Sequence, residues 1–139
     1  MTQWYVLNEM KRPVPVDGCN PERIYLNWAD NNPNLATVRR TYVGNVSIAT
    51  VFIGQDVGAG SSIGVYKPVV FKSKVLGGFL DGEERYYTDW SQAEAGHESL
   101  INAVNASRFT VSNCLKWMKK RGSQIWKWIS SAWLSWSRW

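Results

Sequence analysis

The clearest hydrophobic pattern lies in the middle of the chain. Ala36-Thr37-Val38-Arg39-Arg40-Thr41-Tyr42-Val43 has the β-branched and aromatic composition of a strand. Gly44-Asn45 is a turn signal. Val46-Ser47-Ile48-Ala49-Thr50-Val51-Phe52-Ile53 then alternates with period two before ending in an apolar run. The two segments predict an antiparallel hairpin. A strand over Pro68–Leu76 follows, with weaker alternation, ended by Gly77-Gly78. Asp81-Gly82 turns the chain into a short last strand, Glu84–Tyr87. Upstream, Trp4–Leu7 predicts a first strand. Pro13 and Pro15 lack backbone donors, so Lys11–Val16 is suited to an edge strand or extended connection.

Helical patterns are fewer. Asn20-Pro21-Glu22 has the order of an N-cap, a first-turn proline and a first-turn acid, with Ile24, Trp28 and Leu35 on one side. The breaker cluster Asp30-Asn31-Asn32-Pro33-Asn34 predicts a short helix. Asp89-Trp90-Ser91-Gln92 has capping-box spacing. Trp90, Ala93, His97, Leu100, Ile101 and Val104 then recur at helical steps, and Asn105–Ser107 is expected to close that helix. Strands in series followed by a helix predict an α+β body of four to six short antiparallel strands with one packed helix.

Charge divides the chain in two. Residues 1–107 carry nine basic and eleven acidic side chains, whereas 108–139 carry seven basic ones, no Asp or Glu, and six of the nine Trp. The first segment reads as the body and the second as a basic, Trp-rich helical extension. Thr110 or Ser112 can cap a helix ending at the basic run Lys119-Lys120-Arg121; Gly122-Ser123 predicts a break, and a second helix runs to about Arg138. On a helical wheel, Leu115, Met118, Ile125, Trp126, Ile129, Trp133 and Trp136 share an arc, with Trp128 and Trp139 at its edge; Lys116, Lys120, Lys127 and Arg138 gather elsewhere. No run reaches the ~18 consecutive apolar residues of a membrane-spanning helix, and no signal peptide is evident at the N-terminus. Cys19 and Cys114 form no disulfide framework or metal-ligand spacing; both are read as small hydrophobes, which suits a reducing compartment.

An ordered string of motifs extends through the body. It comprises Thr50-Val51-Phe52-Ile53-Gly54 with Asp56, then Pro68 and Phe71, and Gly77-Gly78. Leu80-Asp81-Gly82, Tyr86-Tyr87 and Trp90-Ser91-Gln92-Ala93-Glu94-Ala95-Gly96-His97 follow. With Trp4–Leu7 and Pro13–Val16, this string resembles a widespread family of small uncharacterised bacteriophage-encoded proteins over about residues 1–104. Val57 stands where members often have His, and the C-terminal segment lies beyond the resemblance. The resemblance implies phage origin and work inside a bacterial host; it implies no known reaction and carries over no site residues.

Candidate chemistry is sparse. His97 is the only histidine, and its place on an inner helix face favours a core imidazole with one hydrogen bond over a general base. Asp81, Glu83, Glu84 and Asp89 cluster around a turn and a helix start, too compactly for a cation loop. Gly58–Gly64 lacks the Gly-Lys-Ser/Thr of a phosphate loop. No catalytic residues, metal or cofactor are assigned.

The C-terminal segment is the expected partner-binding surface, through Lys116, Trp117, Lys120, Arg121, Trp126, Lys127, Trp128, Trp133, Trp136 and Arg138. Trp and Arg are the types enriched at binding hot spots, and the basic rim would steer an acidic partner. The same apolar arc could instead pack on the body's own sheet. The expected function is that of a non-enzymatic phage accessory protein in the host cytoplasm. It would bind a host protein or protein–nucleic-acid complex, as an anti-CRISPR-like defence inhibitor or host-takeover factor, with direct nucleic-acid binding ranked lower. The alternatives are a peripheral membrane protein anchored by the extension and an enzyme centred on His97.

Overall fold

The computed structural model describes residues 2–58 and 66–121, with side chains up to Arg108. The fold is α+β. In chain order the elements are β1 (Tyr5–Leu7), β2 (Pro13–Pro15), α1 (Pro21–Asn31), α2 (Pro33–Ala36), β3 (Thr37–Val43), β4 (Val46–Phe52), β5 (Phe71–Leu76), β6 (Glu84–Tyr87) and α3 (Trp90–Arg121). β1 and β2 form an antiparallel pair, and β3-β4-β5-β6 form an antiparallel meander in that order.

β4 organises the meander because both of its neighbours register on it. Its alternation holds along the whole strand: Val46, Ile48, Thr50 and Phe52 are buried, and the residues between them are half-buried. The β3 hairpin closes at Val43↔Val46, as the Gly44-Asn45 signal predicts. On the other side, Thr50 faces Ser73 and Phe52 faces Phe71. The Pro68–Val70 part of the expected Pro68–Leu76 strand lies before the ladder, which begins at Phe71, although Val70 accepts a backbone hydrogen bond from Ile53 and donates one to Tyr87. This transition lets the consecutive Val70 and Phe71 both be buried, which explains the imperfect alternation there. Gly77 and Gly78 end β5 with φ of +90° and +70°, a conformation that disfavours a Cβ.

The inner face of the meander carries two apolar clusters. Val46, Ile48 and Val75 pack with Leu100 and Val104 of α3. Phe52, Phe71 and Val70 pack with Ala93, Tyr5 and Leu7, joined by Tyr25, Trp28 and Trp90. Lys11, in the β1–β2 connection, sets its ammonium 4.5 Å from the centre of the Trp90 ring.

Three sequence expectations need correction. The first helix is longer than its breaker cluster implies. Asn20 caps it as expected, accepting from Arg23 N–H. At the far end Asn31 and Asn32 donate from Nδ2 to the carbonyls of Asn27 and Trp28, so the asparagines satisfy the terminal turn. Its inward residues are Tyr25 and Trp28; Ile24 is 43% exposed. Cys19 is exposed and does not pack as a small hydrophobe.

The third correction concerns α3. Asn105–Ser107 does not close it, and Thr110 and Ser112 lie within it rather than capping a new helix. These residues lower helix propensity only by fractions of a kcal/mol each, and no glycine or proline occurs between Ala106 and Arg121. At its start Asp89 caps as expected, its Oδ1 accepting from Gln92 N–H at 2.8 Å, but the Gln92 side chain reaches back one residue further, its Oε1 accepting from Thr88 instead of completing the box with Asp89. Compactness divides the chain after Val104. The expected break at Gly122-Ser123 lies outside the described residues.

Candidate functional site

α3 directs His97 at the middle of the meander, where three strands each contribute a hydroxyl. His97 Nδ1 lies 2.7 Å from Thr50 Oγ1, and Nε2 lies 2.9 Å from Thr41 Oγ1. Thr50 Oγ1 is also 2.6 Å from Ser73 Oγ. His97, Thr50 and Ser73 are completely buried. A neutral imidazole donates from one nitrogen and accepts at the other, and hydroxyls do both. The chain Ser73–Thr50–His97–Thr41 can therefore be satisfied in either direction. The expected single hydrogen bond is in fact two, with a third hydroxyl behind them.

Burial lowers the His97 pKa, and the nearby Arg39 guanidinium lowers it further, against a smaller opposing effect of Glu98. The ring is therefore neutral at neutral pH. With both nitrogens occupied and no exposed edge, it is placed to specify the core and not to touch a substrate.

A pH dependence follows. The unfolded chain takes up a proton on His97 near the ordinary histidine value of about 6.5, while the folded chain resists it. The stability contribution is present above that pH and is lost as pH falls through it toward the lower folded value. Urea midpoints should fall between pH 7 and 5.5 in the wild type. The His97→Gln variant should lose that step. Equal pH dependence in the two proteins would exclude His97 as its source.

The four carboxylates do not converge. Asp81 Oδ1 accepts from Gly77 N–H at 2.7 Å, Glu83 pairs with Arg85 at 2.9 Å, and Asp89 caps α3. Glu84 lies on β6 against Lys72 and Lys74. Among the described residues, no three of His, Cys, Asp and Glu are grouped to hold a metal ion. Asp56, known from the sequence only as part of a motif, accepts at Oδ1 from both Gly58 N–H and Val69 N–H. It thus ties together the two sides of the glycine-rich connection, whose residues 59–65 lie outside the described residues.

Of the expected partner-binding residues, Lys116, Trp117, Lys120 and Arg121 fall on the helical backbone of α3, beyond the described side chains. Trp126, Lys127, Trp128, Trp133, Trp136 and Arg138 lie outside the described residues. Among the described residues, no helix is long and apolar enough to cross a membrane. No protein-family model matches the chain, and no curated protein or solved structure is significantly similar to it.

The sequence reading missed the outer face of the meander. The inward parity of each strand leaves the opposite parity pointing away from α3. Arg40 and Tyr42 of β3, Lys72 and Lys74 of β5, and Glu84 and Tyr86 of β6 occupy that face. Tyr42 is 68% exposed and Tyr86 46%. Glu84 accepts from Tyr86 Oη at 2.8 Å and pairs with Lys72 at 3.1 Å and Lys74 at 3.6 Å. Hydrogen bonding from Tyr86 and then Lys72 holds the Glu84 carboxyl below its ordinary pKa, and the Glu84 hydrogen bond raises that of Lys72. Reading the same alternation for its polar half was the signal available in the sequence.

Proposed function

We propose that the protein is a non-enzymatic accessory protein of phage origin that binds a macromolecule of the bacterial host through its C-terminal segment. The observation that carries this reading is compositional: seven basic residues and six Trp, with no acid, in 108–139, attached to a body with more acidic than basic side chains. Such a segment supplies both the aromatic anchors of an interface and the charge that steers an acidic partner toward it. The ordered motifs that resemble those of phage proteins support the origin. The seclusion of His97 speaks against an enzyme centred on that residue. Blocking a host defence complex or diverting a host machine in the cytoplasm are the roles such a binder would fill.

Affinity capture from host lysate tests the reading. The full chain should recover a specific partner, and a chain lacking 108–139 should lose it. Equal recovery by both would remove the segment as the binding surface. The interleaving of Lys and Trp also favours a second reading, an interfacial membrane anchor. Flotation of the full chain with anionic liposomes, abolished by joint Trp126→Ala, Trp133→Ala and Trp136→Ala substitution, would support it; absence of flotation would dismiss it.

A further inference from the structure

We infer that the outer face of the β3–β6 meander is a second binding surface, fitted to single-stranded nucleic acid. Charge is the first argument. Arg40, Lys72, Lys74 and Glu84 give this face +2, whereas residues 1–107 as a whole carry nine basic against eleven acidic side chains. The rest of the body is therefore net acidic, with six basic against ten acidic side chains, while three of the nine cations of residues 1–107 share this face with a single acid. Glu84 leaves this sign intact while ordering its neighbours. An ammonium has three donors, so Lys72 and Lys74 retain capacity for phosphate oxygens after meeting Glu84.

The second argument is shape. Tyr42 and Tyr86 lie on opposite edge strands, at opposite ends of the paired register. Strand spacing and rise place them about 20 Å apart along a diagonal. Between them lie the small residues Ser47 and Ala49 of β4 and then Lys72 and Lys74 of β5, with the Lys72 ammonium 5.7 Å from the centre of the Tyr86 ring. Two exposed aromatic rings with cations between them form a platform on which unpaired bases can stack while the backbone crosses the positive centre. A protein partner would be better served by a contiguous apolar patch, and Leu76 is the one large aliphatic exposed on this face. The chain's own C-terminal segment has the same charge sign as the face, which disfavours it as the occupant.

The test uses the full chain with fluorescent oligo-dT, oligo-U and a duplex of equal length. Anisotropy at low salt should show binding to one or both single strands in preference to the duplex. Which single strand binds more tightly distinguishes DNA from RNA. Tyr42→Ala and Tyr86→Ala should each weaken binding about tenfold, whereas Tyr42→Phe should retain it. Lys74→Ala should reduce the logarithmic salt slope by about 0.7. Lys74→Gln should weaken binding with at most a small loss of thermal stability, because its pair with Glu84 is exposed. Ultraviolet cross-linking should map to peptides containing Tyr42 or Tyr86. No binding at low salt, preference for duplex, or unchanged affinity in the tyrosine variants would overturn the proposal. So would cross-links confined to 108–139, a result that would leave the C-terminal reading standing. Loss of an acidic protein partner by the same variants, with oligonucleotide binding intact, would assign the face to protein instead.

Discussion

Phe52→Ala should cost about 3–5 kcal/mol of folding stability, the largest loss expected from one truncation in the described body. Phe52 is 1% exposed at the end of β4. Its ring meets Tyr25 at 6.1 Å, Trp28 at 5.5 Å and Phe71 at 5.2 Å between centroids. The first two contacts hold α1, and the third lies within the meander. Truncation would therefore remove apolar surface and leave a cavity bounded by rings that cannot all move into it. Domains of this size are stable by only about 5–15 kcal/mol, so the variant should remain folded but with a large fraction of its reserve gone. A fall in thermal midpoint of about 20 °C is expected at roughly 5 °C per kcal/mol. Phe52→Leu should recover most of it. A loss below about 1 kcal/mol in urea unfolding would contradict the assigned packing.

Gly54→Ala should be the next most damaging change, for two separable reasons. Gly54 has φ of +70°, where a side chain is disfavoured by roughly 1–2 kcal/mol. A Cβ there would also lie 2.3 Å from Tyr25 Cδ2 and Cε2. The ring would have to shift, endangering the hydrogen bond from Tyr25 Oη to the Phe52 carbonyl at 2.9 Å and the contact with Trp4. Backbone strain and the lost hydrogen bond together should cost about 3 kcal/mol. Adding Tyr25→Ala to Gly54→Ala separates the causes. The double variant should lose less than the sum of the singles, because the ring and the new methyl occupy the same space. Strict additivity would deny the clash.

How much of this was legible beforehand depended on whether the deciding information was local. The alternation of β4, the Gly44-Asn45 turn, the Asn20 cap and the Asp89 cap are set by residues within a few positions of one another, and each was readable. Tyr25 and Ile24 are both apolar neighbours on α1, a helix with no fully buried residue, so only the position of Phe52 decides which turns inward. The length of α3 was misread because Asn and Ser lower helix propensity without forbidding a helix. The contacts of His97 depend on the register that puts Thr50 opposite Ser73 and on the placement of α3 above them. Even so, Thr50 and Ser73 occupy inward positions of otherwise apolar strands, a local hint that polar groups meet there. The C-terminal residues expected to bind a partner stand on composition, which states what a surface is made of but not its shape.

The two borders of the meander also govern how any partner can approach. β3 is irregular where its register shifts between Thr37 and Arg39, and it carries the adjacent charges of Arg39 and Arg40. β6 is only four residues long and opens with Glu84 and Arg85. Such borders discourage a further strand from adding to the ladder, whether from another copy or from an extended peptide. The valine- and isoleucine-rich centre can thus accumulate in a crowded cell with little tendency to polymerise through its backbone. A partner that met this sheet would do so through side chains across its breadth and not through backbone pairing.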